Sequence, residues 1–278
     1  MNGSTFTVDN ITFFNGYPCK VTVDSEDFAF VSDSNALKNA VKNYDNITVI
    51  LSHKYVYTGE YDFTGKANMT LRPYPGHSPK IEGLVWADNC NVTLKGLTLS
   101  NPNGVQHPNP GNSKYYKTIN DQYPLIGAYT NADIKVEDCT MNLTGPTVYG
   151  FYGYAKISPV FKGCTFNCNK IRPIANNGDS ITVTGCTFVD QYHYSVRIFE
   201  NQGERQTVVY TKNTVTGAND KGEFEGVNIS KKGTTATIFA DFTINGNTEG
   251  LKYRHHKAVT MDPSCTYDVT GFAFEKEN

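Results

Sequence analysis

Five short segments hold the residues best suited to chemistry: 149–154 (YGFYGY), 171–176 (IRPIAN), 194–200 (YSVRIFE), 225–229 (EGVNI) and 251–254 (LKYR). Each follows a recurring anchor phrase, described below, and each reads as a strand, in which alternate residues share a face. Aligned on those anchors, Tyr152, Arg172, Arg197 and Lys252 or Arg254 are predicted to stand on one outward face in neighbouring turns of the chain. Aromatic rings stack on sugar faces, and guanidinium groups bind carboxylates through two parallel hydrogen bonds, so such a strip suits a polyanionic or uronic sugar. Arg197 has a competing partner three residues on, in Glu200.

A second group lies in residues 101–117 (NPNGVQHPNPGNSKYYK), a loop by its Pro, Gly and Asn content. Loops of this length inside a compact domain are commonly functional. With His107, Tyr115 and Tyr116, and Tyr123 close behind, it is the insertion best equipped to bind a ligand. The single tryptophan, Trp86, is assigned to the core, and His255–His256 to a solvated turn.

The elements that must position these residues come from a repeat. Residues 134–141 (IKVEDCTM), 160–166 (VFKGCTF) and 181–188 (ITVTGCTF) are one phrase written three times, and degraded copies stand at 92–99, 208–215, 238–244 and 267–274. Anchored on the cysteine-like position they give Leu97, Cys139, Cys164, Cys186, Asn213, Phe242 and Phe272, in steps of 42, 25, 22, 27, 29 and 30 residues. Each copy is two alternating strands broken at Gly or Asp, too short to bury its own apolar side. Units of that kind stack into a solenoid. A sandwich would need hairpin turns in phase with the copies, and the Asn-Gly dipeptides are out of phase. Residues 33–43 carry an N-cap candidate at Asp33 or Ser34 and apolar Ala36, Leu37, Ala40 and Val41 on one face, a short helix expected to plug the open N-terminal end. Residues 1–31 form a separate irregular or attachment segment, and 32–278 the solenoid domain.

The phrasing of strand, Gly, Cys-Thr-Phe and Asn resembles rungs of the right-handed parallel β-helix superfamily, which includes pectate-lyase-like enzymes and phage tailspikes. Residues 45–104 are similar to the opening coils of many polysaccharide lyases of this fold, through 46–51 (NITVIL), 68–76 (NMTLRPYPG), 79–83 (PKIEG) and 91–97 (NVTLKGL). The resemblance implies an all-β solenoid of about seven to nine coils over residues 30–274. It specifies architecture well and function poorly, because one fold hosts many functions. In a lyase of this superfamily a Lys or Arg takes the proton beside the uronate carboxylate, while Arg or Ca²⁺ neutralises that carboxylate. Lys170, Arg172 and Arg197 are the catalytic candidates this implies, and Asp179, Glu200 and Glu204 the Ca²⁺ candidates. The clustered Asp residues of calcium-dependent pectate lyases are missing, and so is the carboxylate pair a glycoside hydrolase needs.

Composition bounds the rest. A net charge of −2 excludes nucleic acid and anionic membrane as main partners, and no apolar run reaches the roughly 18 residues of a membrane span. The first residues lack the basic and apolar stretches of a signal peptide. Seven cysteines, without a Cys-x-x-Cys pair and His partners, argue against zinc; Cys139, Cys164 and Cys186 are expected as reduced, inward-facing small hydrophobes. The seven Asn-x-Ser/Thr sequences are read as turn and strand starts rather than glycosylation sites. Together these features favour a non-enzymatic β-helix without cofactor, displayed on a virion or cell surface in contact with carbohydrate, with other virion proteins or a homotrimer as further associations. A polysaccharide lyase on a uronate polymer is the alternative, and a secreted bacterial adhesin-like protein the second.

Overall fold

The computed structural model describes residues 16–52, 56–108, 114–199, 203–218, 222–231 and 236–277. The described chain enters through an antiparallel hairpin, β1 (Cys19–Val23) and β2 (Glu26–Val31), turned at Asp24 and Ser25 with φ of 48° and 67°. Two successive positive φ values match the twist of the flanking strands. Helix α1 (Ser34–Asn43) follows, and then the coils: β3 (Thr48–Leu51) and β4 (Val56–Asp62); β5 (Met69–Pro73) and β6 (Lys80–Asp88); β7 (Asn91–Lys95), β8 (Thr98–Ser100), helix α2 (Lys114–Asn120) and β9 (Ile126–Tyr129). Next come β10 (Asp133–Glu137), β11 (Thr140–Asn142) and β12 (Tyr149–Tyr154); β13 (Val160–Lys162), β14 (Thr165–Asn167) and β15 (Arg172–Asn177); β16 (Ser180–Thr184), β17 (Thr187–Val189) and β18 (Val196–Phe199). The series ends with β19 (Arg205–Thr211), β20 (Thr214–Thr216) and β21 (Glu225–Ser230); β22 (Ala236–Asn245) and β23 (Lys252–His255); then β24 (Val259–Met261), β25 (Thr266–Tyr267) and β26 (Glu275–Lys276).

Corresponding strands pair in parallel from coil to coil. One sheet runs β2-β3-β5-β7-β10-β13-β16-β19-β22, a second β8-β11-β14-β17-β20, and a third β4-β6-β9-β12-β15-β18-β21-β23-β26; β6 is long enough to join the last two. Parallel neighbours joined by crossovers take the right-handed path, so the molecule is a right-handed parallel β-helix with β2 of the N-terminal hairpin as the first strand of the first sheet. Residues 1–15 of the predicted N-terminal segment lie outside the described residues.

The repeat works through one turn. Gly96, Asp138, Gly163, Gly185, Lys212 and Gly246 all have φ between 53° and 65°, each one residue before an anchor. That left-handed residue folds the first sheet into the second, and glycine takes it without steric cost. Register confirms the anchors Leu97, Cys139, Cys164, Cys186 and Asn213. The sixth is corrected: Thr211 lies opposite Asn245, a step of 34, which puts Asn247 rather than Phe242 beside Asn213. Asn213 N–H donates to Asn247 Oδ1 at 2.9 Å, and Cys186 N–H to Asn213 Oδ1 at 2.9 Å, so asparagine takes over from cysteine as the inward turn residue. Below the turn, Leu99, Met141, Phe166, Phe188 and Val215 share one register column and fill the lumen.

Cys139, Cys164 and Cys186 are buried free thiols, as are Cys90 and Cys168. Burial, and then its neighbour Cys164, pushes the Cys139 thiol up to about 12. A thiolate-directed reagent at pH 8 is therefore expected to label at most Cys19 and Cys265, the two partly exposed cysteines, in the folded protein and all seven in denaturant. Labelling of more than two without denaturant contradicts this packing.

Helix α1 buries Ala36, Leu37, Ala40 and Val41 against the first coil. Asp33 is its cap: one carboxylate oxygen accepts from Ala36 N–H and the other from Gly16 N–H, both at 2.8 Å. Asp33→Ala is expected to cost about 1 kcal/mol in chemical denaturation.

Candidate functional site

The predicted strip falls on the outer face of the third sheet, divided between two register columns. Tyr152, Ala175, Arg197, Asn228 and Arg254 form one, on successive coils. Arg172, opposite Tyr149, belongs to the other, as does Lys252, opposite Glu225. Between them opens a groove of about 660 Å³ lined by Arg172, Tyr194, Arg197, Asn228, Ser230 and Arg254, with Glu223, Glu225, Glu275 and Glu277 at its C-terminal end.

The two ends differ in charge compensation. Arg254 lies 2.6 Å from Glu223, 3.5 Å from Glu225 and 3.7 Å from Glu275, and Lys252 lies 2.6 Å from Glu223. Arg254, and then Lys252, hold the Glu223 carboxyl down at about 2. These cations are already satisfied. Arg172 and Arg197 have no carboxylate within ion-pair distance among the described residues. Arg197 donates from Nη1 to Tyr149 Oη at 2.9 Å and from Nε to Ser230 Oγ at 2.6 Å, with its guanidinium carbon 4.5 Å from the Phe199 ring centre. Arg172 lies over the rings of Tyr149 and Tyr192, at 5.6 and 4.9 Å, and its buried Nε–H has no partner among the described residues. The phenols of Tyr149 and Tyr194 meet at 3.1 Å. Burial pushes the Tyr194 and Tyr152 phenols up, so both are neutral at ordinary pH.

The remaining candidates lie apart from this pair. Lys170 is ion-paired with Asp190 and donates to Ala218 O at 3.1 Å. Asp179 sits in the turn between β15 and β16, Glu204 is exposed before β19, and Glu200 lies outside the described residues. Among the described residues the potential cation ligands that converge are instead Glu60, Asp62 and His107.

Residues 101–108 and helix α2 lie over the outer face near β6; the helix takes residues 114–117, which the sequence reading assigns to the loop. His107 stacks on Trp86 with ring centres 4.5 Å apart and planes 4° from parallel, and Tyr116 meets Trp86 edge-on at 4.9 Å. Tyr116 donates to Asp88, and Tyr115 packs against Tyr129 and Tyr154. Gly127 admits the helix: a Cβ there would lie 2.9 Å from Ile119 Cγ2 and 3.0 Å from Trp86 Cε3. Trp86 is fully buried, as expected, but in this outer cluster rather than in the lumen. His107 and Tyr116 thus bind the molecule's own strands, and the open polar groove lies farther along the sheet. Sequence reasoning missed Tyr149, Tyr194 and Ser230; the repeated aromatic opening the segments YGFYGY and YSVRIFE was the available signal.

Among the described residues, no helix is long and apolar enough to cross a membrane. The sequence matches no protein-family model and no curated protein. Among solved structures, the chain is similar to an alginate lyase from Paenibacillus sp. str. FPU-7, with a TM-score of 0.44 and 10% identity over 86% of this chain and 97% of that one.

Proposed function

We propose that the groove on the third sheet binds an anionic, uronate-containing polysaccharide and holds it without cleaving it. The observation that carries this reading is the pair Arg172 and Arg197. Both are cations on adjacent coils, braced among the described residues by phenols and a serine rather than by carboxylates, and one has a buried N–H without a partner among them. A guanidinium kept in place by neutral partners retains its charge for a ligand, and its planar fork fits a carboxylate. The surrounding tyrosines offer faces for sugar rings. On this reading the protein meets its polymer outside the cell that makes it, on a virion or a cell surface.

A second reading, β-elimination by a lyase, draws on the Tyr149 hydroxyl beside Arg197, which sets a proton-transfer group next to a guanidinium able to bind a carboxylate. The test is a panel of pectate, alginate and glycosaminoglycans, immobilised for retention and in solution for the ultraviolet absorbance of unsaturated product, with and without Ca²⁺. Retention without product is expected. Product formation would favour the lyase, and the absence of both signals would overturn the carbohydrate reading.

A further inference from the structure

We propose a second site, for a divalent transition-metal ion, where the segment carrying His107 meets the first coils. Glu60 and Asp62 stand two residues apart on β4, and His107 comes down on them from the loop, with one ligand atom from each within 4.8 Å of the others. Metal bonds of about 2.1 Å can span that separation with a small shift of the side chains. Two carboxylates with one imidazole form a mixed oxygen and nitrogen set, which favours Zn²⁺, Co²⁺ or Mn²⁺ over Ca²⁺, an ion that takes oxygen alone.

The surroundings are built to hold these groups. The buried Asn120 side chain clamps the His107 backbone from both sides, accepting from its N–H and donating to its carbonyl, each at 3.0 Å. His107 Nδ1 meets a carboxylate oxygen of Glu60, with only 10% of the His107 side chain exposed. Asp62 is oriented by Thr64, whose backbone N–H and hydroxyl both donate to Oδ1, leaving Oδ2 for a ligand. An independent observation points to a missing group. Trp86, directly opposite Asp62 in the strand register and stacked flat on His107, is fully buried, yet its Nε1–H has no partner among the described residues. A buried donor of this kind normally finds an acceptor, and a hydrated ion brings oxygen acceptors to a place where the described residues offer none.

Lys38, Lys42 and Lys66 line the adjoining cleft and oppose a cation; Lys66 is drawn off to Asp45 at 3.6 Å. The site lies five strands along the third sheet from Arg197, roughly 24 Å at the usual strand spacing. It is therefore separate from the glycan groove. A bound ion would fasten the loop to the solenoid at Glu60 and Asp62.

The test is titration of the metal-stripped full chain with Co²⁺, followed by its visible absorption, and with Zn²⁺ by calorimetry. Saturation at one ion per chain is expected, with affinity at least tenfold weaker in Asp62→Asn and in His107→Gln and unchanged in His256→Gln and Arg197→Ala. Asp62 is exposed, so its variant keeps the test valid should His107→Gln fail to fold. Absence of saturable binding, or affinity unchanged in Asp62→Asn, overturns the site.

Discussion

Arg197→Ala is expected to weaken binding of a uronate polymer by about 10- to 150-fold, the equivalent of a charge-assisted hydrogen bond of about 1.5–3 kcal/mol. Among the described residues the guanidinium is the best-braced cation on the face without a carboxylate partner, fixed by Tyr149, Ser230 and Phe199. Because it is held in place beforehand, little entropy is lost when a carboxylate arrives. Arg197→Lys keeps the charge but not the planar fork, and is expected to recover only part of the affinity. Arg254→Ala provides the contrast. Its guanidinium already serves Glu223, Glu225 and Glu275, so its loss should destabilise the C-terminal coils while leaving the affinity of the folded protein within a few-fold. Calorimetric or electrophoretic titration with pectate and alginate, at two salt concentrations, measures both. An Arg254 variant that binds as poorly as the Arg197 variant would contradict the division of the groove into satisfied and available cations.

Phe166→Ala is expected to cost about 3–5 kcal/mol of folding stability, the largest effect of any single truncation considered. Phe166 is fully buried, stacked on Phe188 with ring centres 4.8 Å apart and planes at 14°, and 5.7 Å from Phe161. Its backbone is paired on both sides, to Met141 and Phe188, so neighbouring coils cannot slide in to fill the space. A cavity that cannot collapse takes the upper part of that range. At about 2–4 °C per kcal/mol for a chain approaching this size, the midpoint of thermal unfolding should fall by roughly 10 °C or more. A drop of only a degree or two would mean that the lumen repacks.

The architecture was legible because a solenoid repeats its constraints. Each coil needs a left-handed turn residue, a small inward anchor and an apolar lumen residue, and the phrase Gly-Cys-Thr-Phe supplies them in order. The helix that plugs the end was equally readable, since Asp33 and the face of Ala36, Leu37, Ala40 and Val41 are local features. The sixth anchor was misread where the apolar alternation of residues 238–244 imitated the phrase. The true turn was marked by Gly246 before Asn247 and Thr248, which repeats Lys212, Asn213 and Thr214. The groove was harder to see. Alignment brought out the basic residues but not their partners, because Arg197 with Tyr149 and Arg254 with Glu223 depend on which coil lies next to which and on how far a side chain reaches. No spacing in the sequence joins His107 to Glu60, 47 residues away, because their meeting depends on how the long loop folds back.

The C-terminal coils bear directly on the groove. In the middle of the solenoid each coil is held by several paired strands, whereas β25 and β26 contribute two residues each. Coils in such a stack support only their immediate neighbours, so thermal fraying starts where the ladder is thinnest and travels inward. The first residues to lose their supports are those that hold Arg254 and its glutamates, and the next are Asn228 and the Ser230 it bonds, which in turn braces Arg197. Release of the last coils would uncover carboxylates beside the bound polymer and loosen Arg197 at the same time, so that grip on the glycan and order at the C-terminal end rise and fall together.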